Sequence, residues 1–200
     1  MSLILRDYQE EAISKVMASW QEHAERLDKH LADVRFGLSP EPFVPGRELL
    51  VLATGAGKTV IFCDIARQLA AHGVLTLVLA HRDELLNQAA EKYREADPTA
   101  IVGKVAGSVN ELGGTVTVAS VATARNAKRL KQLQQFNFGL IVVDEGHHLA
   151  AAGYQTVLKA FPNAFVLIVT ATPDRLDGKP IIDKEPLYTR GIVDLVKEKY

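Results

Sequence analysis

The chain lacks most of the features that mark specialised protein classes. It has one cysteine, Cys63, in 200 residues. An intrachain disulfide and a cysteine-built metal cluster are therefore excluded. Cys63 stands among Val60, Ile61, Phe62 and Ile65, a setting for a small buried apolar side chain rather than a reactive thiol. Neither charge sign dominates, with a formal net charge of −1 and a pI near 6.6. Any contact with nucleic acid must then come from a local patch, because bulk charge does not announce one. No apolar run approaches the roughly 20 residues needed to cross a bilayer. Residues 1–6 lack the charged-then-apolar pattern of a signal peptide. A soluble, intracellular, cytoplasmic protein without a membrane partner is expected. Internal repeats and low-complexity segments are also missing.

What is present suits one globular domain with an additional arm: 48% of residues are hydrophobic and 24% charged. A first helix is expected from Asp7, with Asp7 as cap and Glu10 completing a capping box. Ile13, Val16, Met17, Trp20, Ala24, Leu27, Leu31 and Val34 follow at helical spacing, as one long helix or two short ones. Trp20 lies on that stripe and reads as core rather than as a base-stacking platform. Residues 36–46 carry Pro40, Pro42 and Pro45 and read as a loop.

From residue 48 short apolar runs alternate with helical patterns. Strands are expected over residues 48–53, 74–80, 100–105, 115–119, 140–143 and 165–170. Helices are expected over 58–71, 83–95, 122–135 and 154–160. Runs such as 140–143 and 166–169 are apolar without alternation, as strands covered on both faces are. The order implies an α/β layer fold with a mostly parallel sheet.

The strongest chemical signal is Ala53-Thr54-Gly55-Ala56-Gly57-Lys58-Thr59, placed between a strand and a helix. Phosphate carries dense negative charge, and successive backbone N–H groups with a helix N-terminus offer positive charge without long side chains. Gly55 and Gly57 allow a tight turn and close approach. Lys58 is placed to bridge the β- and γ-phosphates of ATP, and the Thr59 hydroxyl to ligate Mg²⁺. The general pattern has a glycine where this chain has Leu52, so only the Thr54–Thr59 core of the motif is kept.

Residues 140–143 run into Asp144-Glu145-Gly146-His147. Two carboxylates at the end of a buried strand are costly unless something pairs them. In a parallel sheet the strand ends share the edge where ligands bind, so Asp144 and Lys58 are expected close together. Asp144 would hold Mg²⁺, and Glu145 would orient or deprotonate the attacking water. The pair His147 and His148 lacks further ligands at useful spacing, which argues against zinc.

These motifs, in this order, resemble superfamily 2 helicases over nearly the whole chain. Leu5-Arg6-Asp7-Tyr8-Gln9 resembles the adenine-reading segment, in which Gln9 would hydrogen-bond the base edge with Arg6 helping to hold it. Residues 53–59 resemble motif I, and Asp144–His147 resembles motif II in its D-E-x-H form. Residues 79–85, including His81 and Arg82, resemble motif Ia. Residues 118–123, including Ser120 and Thr123, resemble the next backbone-contacting motif. Thr170-Ala171-Thr172-Pro173 resembles motif III, which with His147 couples ATP state to domain motion. Residues 170–175 and 177–179 are similar to the group containing type I and III restriction motor subunits, XPB and RadD. Plainer readings stand beside these: Gln9 as a helix-face glutamine, His81 and Arg82 as surface polar residues, and Lys128, Arg129 and Lys131 as a solvated helix face.

The resemblance implies a three-layer RecA-like P-loop NTPase domain over residues 47–179, preceded by a helical segment over 1–46. Residues 180–200 would be a connector toward a second RecA-like domain absent from this chain, with an unassigned insertion near residues 23–45. It implies ATP and Mg²⁺ as cofactors and a DNA or RNA backbone as partner, with oligomeric state open. ATP hydrolysis, slow without the second domain and its arginine, would drive translocation or unwinding. The rival reading is a nucleotide-binding regulatory or assembly module with little intrinsic ATPase.

Overall fold

The computed structural model describes residues 4–174 and 178–197. Arg175 and Asp177, part of the restriction-motor resemblance, lie outside the described residues, as do residues 198–200. In chain order the helices are α1 (Asp7–Arg35), α2 (Lys58–Ala70), α3 (Asp83–Ala96), α4 (Val121–Ala124), α5 (Ala127–Leu133), α6 (Ala152–Lys159) and α7 (Ile192–Lys197). The strands are β1 (Arg47–Leu52), β2 (Leu75–Ala80), β3 (Val102–Ala106), β4 (Val109–Glu111), β5 (Val116–Ser120), β6 (Phe138–Asp144), β7 (Phe165–Thr170) and β8 (Tyr188–Arg190).

The strands form one sheet in the order β4-β3-β5-β2-β6-β7-β1-β8. Every neighbouring pair is parallel except β3 and β4. Each central strand sends alternate side chains to opposite faces. Leu50, Leu52, Val78, Val142 and Val169 pack with α1, α2 and α3. Leu49, Val51, Leu79, Val143 and Ile168 pack with α4, α5 and α6. Both faces are covered, which explains runs such as Leu140–Val143 that are buried throughout. The result is a three-layer α/β domain. Among the described residues no helix is long and apolar enough to cross a membrane.

Several local expectations are revised. The residue capping α1 is Arg6, and Gln9 at the third helical position accepts from the Arg6 N–H at 3.0 Å; Asp7 and Glu10 lie inside the helix. A single helix spans the whole stripe from Asp7 to Arg35. The helix expected over 122–135 is two helices, because Asn126 is extended (φ −63°, ψ 130°) and its side chain caps α5 at Lys128 N. Within the segment expected as a connector, Tyr188–Arg190 forms β8, which pairs parallel to β1 from Leu50 to Leu52. The hairpin strand β4 carries too little pattern to be seen in sequence, being three residues long with intermediate or exposed positions.

Candidate functional site

The apolar strand β1 ends at Leu52, and the chain turns through residues 53–57 into α2. Gly55 and Gly57 have φ of +83° and +78°, conformations that a side chain disfavours. A Cβ on Gly55 would meet nothing within 4 Å, so the outer side of the turn is open. Gly57 caps α2 without any side-chain cap bond, which leaves the first-turn N–H groups of a 13-residue helix for another acceptor. Thr54 is exposed, Ala56 is buried, and Lys58 and Thr59 are half-buried. The Lys58 ammonium donates to the Leu52 carbonyl at 3.3 Å.

Asp144 and Glu145 follow the last apolar residues of β6. In the sheet β6 and β1 both flank β7 and run parallel to it, so their C-terminal ends share one edge. Asp144 is buried, and burial together with the neighbouring Glu145 charge raises its carboxyl pKa. The Glu145 backbone N–H, donating to Asp144 Oδ1 at 2.9 Å, and the Lys58 charge oppose that rise. Glu145 is the only non-glycine among the described residues with positive φ (+55°). Such a conformation is costly and concentrates at functional sites. Its carboxylate reaches His147 Nδ1 at 3.4 Å.

Beyond Glu145 a single 3-10 turn (Gly146–His148) returns the chain toward β7. The His148 ring lies against His147 (centroids 4.1 Å apart) and against His81 (4.5 Å, near edge-on). His81, Arg82, Glu145, His147 and His148 line a cavity of about 290 Å³. Burial and neighbouring cations hold the His81 and His148 pKa values below the usual imidazole range. The contact of His148 with His81 was invisible in sequence, since 67 positions separate them. Only the parallel order places β2 beside β6 and brings the two strand ends together.

The remaining singled-out residues are dispersed along the same edge. Thr170 is fully buried at the end of β7, and its Oγ1 accepts from the Thr172 N–H at 3.2 Å, bracketing half-buried Ala171. His81 and Arg82 are exposed at the end of β2. Ser120 is buried, and the Thr123 hydroxyl accepts from the Gly107 N–H at 2.9 Å. Arg6 is exposed, whereas Gln9 is buried with both ends of its amide bonded within the chain. A larger cavity, about 720 Å³, opens at the other end of β1 between Arg26, Arg47 and Lys184 and takes in none of these residues.

The fold and loop define a RecA-like P-loop domain of the superfamily 2 helicase class. Residues 2–175 match the family described as "Type III restriction enzyme, res subunit", and the chain belongs to that family. It is 32% identical over 212 residues to the putative mitochondrial ATP-dependent helicase irc3 of Schizosaccharomyces pombe, covering 100% of this chain and 31% of that protein. It is 31% identical over 156 residues to the DNA 3′-5′ translocase XPB2 of Sulfurisphaera tokodaii, covering 74% of this chain and 33% of that protein. The chain thus spans about a third of the length of these relatives. Among solved structures, a nuclease-deletion mutant of the type ISP restriction-modification enzyme LlaGI, in complex with a DNA substrate mimic, superposes with a TM-score of 0.66. Its sequence identity is 17%, and the match covers 98% of this chain and 21% of that one. The helicase domain of Pyrococcus furiosus Hef gives 0.60 at 23% identity, over 76% of this chain and 36% of that one. At these identities the two structures speak for the fold.

Proposed function

We propose that this chain is the ATP-binding wall of a helicase or translocase motor cleft that acts on a DNA or RNA backbone. The carrying observation is that the open, glycine-turned loop after β1 and the Asp144–Glu145 pair at the end of β6 share one sheet edge, with Lys58 charge lowering the Asp144 pKa against its burial. Thr54 to Thr59 would cradle the triphosphate through backbone N–H groups, with Lys58 on the β- and γ-phosphates. The Thr59 hydroxyl and Asp144 carboxylate are hard oxygen donors, the type that Mg²⁺ prefers. Bound Mg²⁺ would neutralise charge developing on the transferred phosphoryl group. Glu145 would orient or deprotonate the attacking water.

His147, Thr170, Ala171 and Thr172 stand where the two carboxylates meet β7 and would report nucleotide state to a second domain. His81 and Arg82 would contact nucleic-acid phosphate, giving salt-dependent binding with little sequence information. Ser120, buried at the end of β5, and Thr123, which holds the Gly107 N–H, would complete that nucleic-acid surface. A second reading, a nucleotide-binding assembly module, is favoured by exposed Ile192, Val193 and Val196 on α7, a surface suited to a protein partner.

The test is steady-state ATPase of these 200 residues, with and without single- and double-stranded DNA and RNA, beside Lys58→Ala and Glu145→Gln. Slow turnover is expected, because an added arginine is worth about 10³–10⁵ in rate in comparable phosphoryl-transfer enzymes. Both substitutions should abolish that turnover, and Glu145→Gln should still bind nucleotide. No turnover at all, with Lys58-dependent nucleotide binding kept, would favour the assembly module. Turnover insensitive to Lys58→Ala would refute both readings.

A further inference from the structure

We propose that Tyr8, together with Gln9, is a positioning residue that aims the Gly57 N–H into the phosphate loop by clamping the Ala56 carbonyl. The proposal rests on the phosphate-loop reading above.

The Tyr8 hydroxyl donates to Ala56 O at 2.8 Å, and Gln9 Nε2 donates to the same oxygen at 3.1 Å. Two donors fill both lone pairs of that carbonyl. The orientation of the Gln9 amide follows from its partners. A carbonyl can only accept and a backbone N–H can only donate, so Nε2 faces Ala56 O while Oε1 faces Arg6 N. Arg6 Nη1 donates to the Tyr8 oxygen at 3.1 Å, which leaves the phenol's own proton for Ala56. The exposed Arg6 is thereby joined through one buried phenol to the loop.

Ala56 and Gly57 share one peptide unit, and no described peptide bond is cis. In a planar trans peptide the C=O and N–H point in opposite directions. Fixing the Ala56 carbonyl toward α1 therefore turns the Gly57 N–H away from α1, toward the open side of the turn. Tyr8, Gln9 and Ala56 are at most 5% exposed, so water does not compete for these bonds. Gly57 itself is tied to the clamp, because an added Cβ would collide with Gln9 Nε2. The ligand class that such a device serves is a polyphosphate chain, whatever base it carries. One N–H of Nε2 and one lone pair of Oε1 remain on Gln9 for the base-edge contact which the family resemblance implies.

The experiment titrates the 200-residue chain with inorganic tripolyphosphate, ATP and GTP in Mg²⁺ by calorimetry. Wild type is compared with Tyr8→Phe, Gln9→Met and Lys58→Ala, each checked for folding by circular dichroism. Tyr8→Phe should weaken all three ligands by one common factor of about 3–10, the worth of one neutral hydrogen bond. The ATP-to-GTP affinity ratio should stay constant in Tyr8→Phe, and Gln9→Met should weaken tripolyphosphate by a similar factor, carrying the test if Tyr8→Phe fails to fold. In Tyr8→Phe a loss confined to ATP or a changed ATP-to-GTP ratio would overturn the clamp, as would unchanged tripolyphosphate affinity in either variant. If Lys58→Ala abolishes binding while Tyr8→Phe and Gln9→Met leave it intact, the clamp alone is wrong. If wild-type binding survives Lys58→Ala, the phosphate-loop reading falls and takes the clamp with it.

Discussion

Gly146 packs directly on Ile168: a Cβ added at Gly146 would overlap Ile168 Cγ2 and lie 3.6 Å from Thr170 Cβ. The turn after Glu145 thus rests on β7 just before Thr170. Ile168 is fully buried and cannot swing aside. Gly146→Ala is expected to cost about 1–3 kcal/mol by overpacking. Ile168→Leu removes the Cγ2 methyl from Cβ and should recover most of that loss in the double variant. Urea unfolding of the two singles and the double gives the coupling; additive losses would show that the contact does not matter.

Asp144 illustrates a cost carried by the proposed site. Its folded-state pKa is raised, chiefly by burial. The folded chain therefore holds that proton more tightly than the unfolded chain, so the destabilisation is present at neutral pH and relieved as pH falls through the raised value. Asp144→Asn removes the charge and keeps an oxygen for the Glu145 N–H. It should raise Tm at pH 7 by about 2–4 °C per kcal/mol relieved while abolishing ATP turnover. An unchanged or lower Tm would show that Lys58 already compensates the charge.

His23 works in the opposite pH direction. Its Nδ1 accepts from the Gly46 N–H at 3.1 Å, which leaves Nε2–H to donate to Asn163 O at 3.1 Å. The ring also meets Phe43 and Phe165 edge-on. Burial lowers its pKa against the Asn163 bond, with Arg26 assisting. The unfolded chain binds the proton first, so stability is full above the ordinary histidine value and is lost as pH falls below about 6.5. His23→Gln should lower stability at pH 7.5 by about 1–3 kcal/mol, since Gly46 N–H loses its acceptor. It should also flatten the decline toward pH 5, a difference that thermal melts at the two pH values would read.

Asn126 separates α4 from α5 by accepting from Lys128 N at 3.1 Å. Asn126→Ala should cost about 1 kcal/mol of stability. Asn126→Asp should retain the cap, and equal melting temperatures for all three proteins would refute the assignment.

The glycine turn after β1 and the acidic pair at the end of β6 were legible as a candidate site because each is local. Gly55, Gly57, Lys58 and Thr59 are adjacent in sequence, and a glycine turn after an apolar run has few other uses. The central strands were legible for a similar reason, as burial on both faces writes an uninterrupted apolar run. Local composition did not settle boundaries. The break at Asn126 depends on one side chain outcompeting a helical bond, and the short β4 and β8 exist because β3 and β1 offer free edges to pair with.

By itself the sequence picked out candidate phosphate and metal ligands and determined that they would end strands in a parallel α/β fold. Tertiary structure alone decided what those residues touch. It set His148 on His81, Gly146 on Ile168, and Tyr8 with Gln9 on the carbonyl of Ala56. The physical reason is that periodicity reports which face of an element is buried, whereas strand order and side-chain packing determine which distant element buries it.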